Sequence, residues 1–316
     1  MSIQGWYIRY YAFCLLIIFS FCSKSYGANE DGAADLGVDY AFMFLMTLSP
    51  DFAAANYTIE NEDGTAVDIS IARLPLHFDL YKTENNQLQL EIAIAYQKTT
   101  ELLELAAFPG ESIDAQWNTY GGGLGLLYQH KLTEHLQFTP SLRSGVARME
   151  NDATYNGTYI NLINDQFDGT ILNWKTNASI VNLGLGLSYT WTLGNRPSSI
   201  KADAYHVIID SFNESNPAVK FTEQANMLAI KADMIFPTNT YIADNRLDLV
   251  LLLGTNTFFG ENRDTLGYTT SYQVGIGSEL PLHWNNKERG YMRFSGQVLW
   301  ADNMRGWLLT LGYIPD

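Results

Sequence analysis

Between Val181 and Leu193 the chain alternates with a period of two. Val181, Leu183, Leu185, Leu187, Tyr189, Trp191 and Leu193 are large and apolar. Asn182, Gly184, Gly186, Ser188, Thr190 and Thr192 between them are small or polar. Successive side chains of a β-strand leave on opposite faces, so such a strand has one oily face ending in aromatics and one small polar face. A soluble sheet face seldom collects so many large apolar groups unless a second sheet covers it. The other cover is lipid. A transmembrane β-strand needs roughly 9–11 residues, apolar outward and polar inward, with aromatic girdles at the interfaces.

The same unit recurs along the chain. The alternation predicts strands over Leu36–Leu48, Ala66–Tyr81, Gln87–Lys98, Trp117–His130 and His135–Met149. The opening stretch, started a little earlier, is the sixth. Further strands are predicted over Ser198–Phe212, Gln224–Phe236, Asn245–Phe258, Gly267–Leu280, Arg289–Ala301 and Arg305–Ile314. In the second, Ile69 and Ile71 fall on the opposite parity from Leu74, Leu76, Phe78 and Leu80. A β-bulge near Ala72-Arg73 would return them to one outward face. The faces of Ser198–Phe212 do not resolve. Twelve strands is an even number, as single-chain bacterial barrels generally require. The fold class is therefore all-β, a twelve-stranded antiparallel transmembrane β-barrel.

The connections support this independently. Ser49–Thr65, Thr99–Gln116, Glu150–Lys175 and Asn213–Glu223 are long, whereas Lys82–Asn86, Lys131–Glu134, Gly194–Pro197 and Pro237–Asp244 are short. Long and short alternate, as outer loops and periplasmic turns do. The second long connection has the composition of a short helix over Thr99–Ala107. The long connections concentrate acidic residues, among them Glu60, Glu62, Glu101, Glu104, Glu150 and Asp152.

The N-terminus carries an address. Arg9 precedes the apolar run Ala12–Phe21, and Ser25-Tyr26-Gly27 offers a cleavage site before Ala28. This reads as a signal peptide over residues 1–27, with a barrel domain over 28–316. The apolar run is shorter than the ~20 residues a membrane helix needs. Cys14 and Cys22, the only cysteines, lie in the leader, so the mature chain has no disulfide or thiol chemistry. Losing Arg9 and Lys24 with the leader takes the formal net charge from −15 to −17. That balance opposes nucleic acid or anionic lipid as a direct partner.

The inward parity collects charges of both signs. Asp39, Asp79, Glu91, Asp233, Asp248 and Glu279 face Arg73, Arg143, Lys231, Arg289 and Arg293, with His77 on the same face. Such a lining either tunes ion conduction or pairs up and plugs the lumen; conductance measurements decide between the two. Catalysis would need an assembled site. His77 and Asp79 share the inward face of one strand with Ser70 nearby in sequence, but no Gly-x-Ser-x-Gly motif surrounds any serine. His130, His135, His206 and His283 stand singly, without metal-ligand spacing. No catalytic, cofactor-binding or metal-binding residue is assigned, and the chain is read as non-enzymatic and cofactor-free.

The alternating strands and the last strand, Gly306-Trp307-Leu308-Leu309-Thr310-Leu311-Gly312-Tyr313, resemble the translocator barrel of autotransporters. More closely, the mature chain resembles the solitary autotransporter-like outer membrane barrels. Two departures stand out. Such chains usually finish on an aromatic residue, whereas here Tyr313 is followed by Ile314-Pro315-Asp316. A passenger is usually threaded through the lumen, yet only Ala28–Asp35 precedes the expected first strand. Eight helical residues reach ~12 Å, short of a ~25 Å barrel band. The resemblance implies a monomeric barrel of the Gram-negative outer membrane with a structural or passive-pore role. Its expected partners are outer membrane lipid, lipopolysaccharide and, during biogenesis, the barrel assembly machinery. The alternatives are a small-solute porin and, from another class, an outer membrane hydrolase.

Overall fold

A computed structural model describes residues 52–60, 66–104, 110–158, 160–163, 168–169, 172–193, 196–242, 245–260, 268–284 and 287–315. Twelve antiparallel strands close into one ring, each hydrogen-bonded to its sequence neighbours, with the first and last joined. They are β1 (Phe52–Glu60), β2 (Ala66–Lys82), β3 (Asn86–Glu104), β4 (Ser112–Lys131), β5 (Leu136–Asn156) and β6 (Lys175–Leu193). The other half comprises β7 (Arg196–Phe212), β8 (Thr222–Ile242), β9 (Asn245–Phe259), β10 (Thr270–Trp284), β11 (Lys287–Trp300) and β12 (Met304–Pro315). A single helical turn, α1 (Ile160–Ile163), sits in the β5–β6 connection. Closure supplies the interstrand pairing that hydrocarbon demands of a spanning structure, although β1 pairs with β2 only as far as Arg73 and with β12 only as far as Leu311.

The outer wall follows the predicted alternation. Val181, Leu183, Leu187 and Tyr189 of β6 are exposed, and Asn182 between them is buried. The same holds for Leu74, Leu76, Phe78 and Leu80 on β2, and for Trp307, Leu309, Leu311 and Tyr313 on β12. A continuous apolar surface of this extent requires a nonaqueous cover.

Three expectations are corrected. Leu36–Leu48, expected as the first strand, lies outside the described residues together with Asp39. The strand that closes the ring against β12 is Phe52–Glu60, which read as loop. The short lead-in computed from Ala28–Asp35 therefore does not carry over. In β2 the register runs unbroken from Val67 to Asp79, and its shift lies between Asp79 and Tyr81, not near Ala72. Ile69 and Ile71 are buried inside the ring instead of being returned to lipid. Thr99–Glu104 continues β3 and is not helical.

Strand extension also moves acidic residues out of the connections: Glu101 and Glu104 belong to β3, and Glu150 and Asp152 to β5. The connections 83–85, 132–135, 194–195, 243–244 and 285–286 lie at one end, which is the periplasmic end by the usual rule; at the other end only 301–303, between β11 and β12, is as short. Pro237–Ile242, expected as part of a turn, extends β8 to that end.

Candidate functional site

The lumen is built in two halves of opposite character. Towards the outer end, inward residues of nine strands form one apolar cluster: Tyr57 and Ile59, Ile69 and Ile71, Ala147 and Met149, Ala178 and Ile180, Val207 and Ile209, Met227 and Ala229, Phe258, Leu299, and Met304. Trp174, Val219, Phe221 and Tyr268, from the connections, pack into it. Met304 and Tyr57 are wholly buried. The β5–β6 connection is tied down at several points. Glu111 accepts a hydrogen bond from the Ile160 amide at 2.7 Å, and Tyr155 donates to Asp168 at 2.7 Å. Burial beside Asp168 pushes the Tyr155 phenol above its ordinary pKa.

Towards the periplasmic end the lining is ionic, in two clusters. In the first, Glu91 sits at the centre. Its Oε1 lies 2.9 Å from Arg73 Nη2 and 3.0 Å from Arg143 Nε, and its Oε2 lies 3.1 Å from His77 Nε2. Glu91 and Arg73 are almost wholly buried. The register shows how four strands assemble this site: His77 opposes Glu91, Glu91 opposes Gly125, and Gly125 opposes Arg143. A Cβ at Gly125 would stand 2.9 Å from Arg143 Cγ and 3.3 Å from Glu91 Cβ. Glycine thus leaves the gap through which the guanidinium crosses one strand.

The second cluster lies on strands β7–β11. Asp248, Glu279 and Arg293 face one another on β9, β10 and β11. Arg293 Nη2 is 2.7 Å from Glu279 Oε1, and Arg293 also pairs with Asp233. Arg196 pairs with Glu279, its Nε lies 2.9 Å from Asp248 Oδ2, and its guanidinium carbon sits 3.6 Å above the Tyr291 ring. Arg246 Nε completes the set 2.8 Å from Asp248 Oδ1. Interior ions of this kind persist only when paired and hydrogen-bonded, since desolvation of each costs several kcal/mol.

Of the residues expected to line the lumen, Arg73, His77, Glu91 and Arg143 are brought together in the first cluster. Asp233, Asp248, Glu279 and Arg293 meet in the second. Asp79 stands apart near the periplasmic rim, accepting from Gln87 at 2.7 Å and Gln89 at 2.8 Å. Lys231 is half-buried opposite Lys201 of β7. The backbone of Arg289 belongs to β11. Sequence reasoning missed Arg196, which it assigned to a turn, and Gly125, which has no charge to notice. Ser70 faces the other way from His77, accepting a hydrogen bond from Asn56 at 2.9 Å on the outer wall. Ser70, His77 and Asp79 therefore do not assemble into a triad. Among the described residues, no group of three or more His, Cys, Asp and Glu could hold a metal ion.

A closed antiparallel ring with an apolar outer belt and a polar and ionic interior defines an integral β-barrel of the Gram-negative outer membrane. The chain belongs to the solitary outer membrane autotransporter beta-barrel domain family, which it matches over residues 55–286. No curated protein matches it. Among solved structures it is similar in fold to the translocator domain of autotransporter NalP from Neisseria meningitidis. That likeness has a TM-score of 0.59 at 10% identity and covers 89% of this chain and 94% of that one. It is likewise similar to the transport unit of the autotransporter AIDA-I from Escherichia coli. Here the TM-score is 0.56 at 8% identity, covering 92% of this chain and 100% of that one.

Proposed function

We propose that this protein is a closed, structural barrel of the outer membrane, monomeric and non-enzymatic, whose lumen is filled by its own side chains. One observation carries the reading: the apolar cluster in the outer half of the lumen, reinforced from the loops by Trp174 and Phe221. A water-filled channel would leave these groups hydrated, whereas each fully buried aliphatic or aromatic side chain gains about 1.5–3 kcal/mol. The two ion clusters favour closure as well. Their charges are engaged with one another, whereas a selectivity ring presents its charges to passing ions. Residues 1–27 serve as the signal peptide and 28–316 as the mature chain. The barrel assembly machinery inserts it, and outer membrane lipid with lipopolysaccharide surrounds it.

Planar bilayer recording tests this. The folded protein should give no stepwise conductance, whereas a Trp174→Ala/Phe221→Ala double variant should admit small, flickering currents. Steady open-channel conductance from the unmodified protein would transfer the assignment to the small-solute porin alternative.

A further inference from the structure

The outer wall is not uniformly packed. On β10–β12 it holds a groove of about 540 Å³ lined by Val274, Ile276, Gly296, Val298, Trp307 and Leu309. Its floor is Gly296, which occupies a lipid-facing position between Phe294 and Val298, both more than half exposed. Pairing places Ile276 and Leu309 on either side of Gly296. The missing side chain opens a trough across β10, β11 and β12.

The trough has a polar head. One row nearer the outer end, Val274, Val298 and Trp307 lie side by side, and above them come Tyr272, Trp300 and Arg305. Tyr272 and Trp300 stack at 5.9 Å, forming the aromatic level that marks a membrane interface. Arg305 is exposed beside them and makes no hydrogen bond or ion pair among the described residues. The carboxylate nearest in the same row, Asp68, is two strands away and already accepts from Thr58 at 2.6 Å.

We infer that this face binds one molecule of the outer leaflet's phosphorylated glycolipid, a lipid A-type ligand. An acyl chain occupies the trough over Gly296, and a headgroup phosphate meets Arg305. The inference rests on the outer membrane barrel reading above. The order of groups matches the ligand: cation at headgroup depth, aromatics at the interface, apolar trough below. Charge at this one position favours the same ligand: although the chain as a whole is acidic, exposed Arg305, with no ion pair among the described residues, offers a local cation to a lipid phosphate at the outer interface. A diacyl phospholipid shares the phosphate but is the weaker fit, with one phosphodiester and fewer chains to fill the wall.

The test uses the folded full-length protein in detergent, titrated with bis-phosphorylated lipid A and read by native mass spectrometry. One lipid A should be retained per barrel. A Cβ at Gly296 meets only Leu309 Cδ2 at 3.5 Å, an ordinary contact, so Gly296→Leu should fold while filling the trough. With roughly 0.8 kcal/mol per displaced methylene it should lower retention at least tenfold. Arg305→Gln should lower it about fivefold, as expected for one cation near an anionic surface. Dephosphorylated lipid A should behave with the unmodified protein as lipid A does with Arg305→Gln. Equal retention in all three proteins, equal retention of phosphatidylglycerol or phosphatidylcholine, or a stable dimer that excludes lipid would each overturn the inference. Heat-modifiable migration run alongside separates the two levels. A chain that never folds as a detergent-requiring barrel would sink the membrane reading itself, whereas a folded barrel indifferent to lipid A would sink only the lipid site.

Discussion

Arg143 Nε reaches Glu91 Oε1 at 3.0 Å across the intervening strand, over the bare backbone of Gly125. Arg73 meets the same oxygen at 2.9 Å from the other side. Two guanidinium groups thus converge on one carboxylate that is 3% exposed. This knot ties β2, β3 and β5 together through the interior, beyond the pairing of neighbouring strands.

Glu91→Gln should therefore be among the most damaging single changes available. It keeps the shape but removes the carboxylate charge on which buried Arg73 and half-buried Arg143 converge. Breaking a buried pair by removing one partner costs roughly 3–5 kcal/mol. Urea unfolding of the detergent-folded barrel, followed by tryptophan fluorescence, should show that loss; a change below about 1 kcal/mol would mean water reaches the cluster.

Gly125→Leu should act on the same knot by crowding. The new side chain begins 2.9 Å from Arg143 Cγ and must push the arginine aside. Overpacking typically costs about 1–3 kcal/mol. In a double variant with Glu91→Gln the two effects should fall short of additive, because both sever one interaction.

Trp174→Ala removes a 1% exposed indole that the β5–β6 connection delivers into the lumen. Large-to-small aromatic replacements in cores cost about 3–5 kcal/mol. Limited proteolysis on whole cells should then cut within residues 157–174, where the unmodified protein resists.

At the outer rim, Glu150 Oε1 lies 2.7 Å from Arg148 Nε and 3.6 Å from Lys175 Nζ. The hydrogen bond from Arg148 is the main cause that holds its carboxyl below the ordinary range. A lowered folded-state pKa gives a contribution that is present above the unfolded value, about 4.3, and lost as pH falls through the folded one. The gap in thermal midpoint between the unmodified protein and Glu150→Gln should therefore be constant from pH 6 to 8 and close below about pH 4. A gap that widened in acid would contradict the assignment.

Most of the wall was legible because lipid imposes a simple rule. Where the interior is polar, as along Val181–Leu193, alternation alone reveals both faces. The rule fails where the interior is itself apolar. Tyr57 and Ile59 on β1, and Ile69 and Ile71 on β2, point inward, so their stretches carry no oily-out, polar-in signature. That explains both the missed strand Phe52–Glu60 and the misplaced bulge. The charged lining was legible by parity, but its pairings were not. Glu91 finds Arg143 only through strand order, register and a glycine, none of which a single sequence prints. Arg196 was hidden by the local turn signal of Gly194-Asn195-Arg196-Pro197, although its side chain turns inward to Asp248 and Glu279.

Strands β4 and β5 run to 20 and 21 residues and stay paired up to Ser112 and Asn156 at the outer end. At ~3.3 Å per residue and a tilt of ~40°, a strand of ~20 residues climbs ~50 Å, about twice the ~25 Å hydrocarbon band. The surplus stands clear of the bilayer as a stiff palisade. Antibodies and phages that reach the cell surface here would meet fixed, hydrogen-bonded ribbon before any supple loop, and epitopes on this protein should depend on its fold rather than on linear peptide.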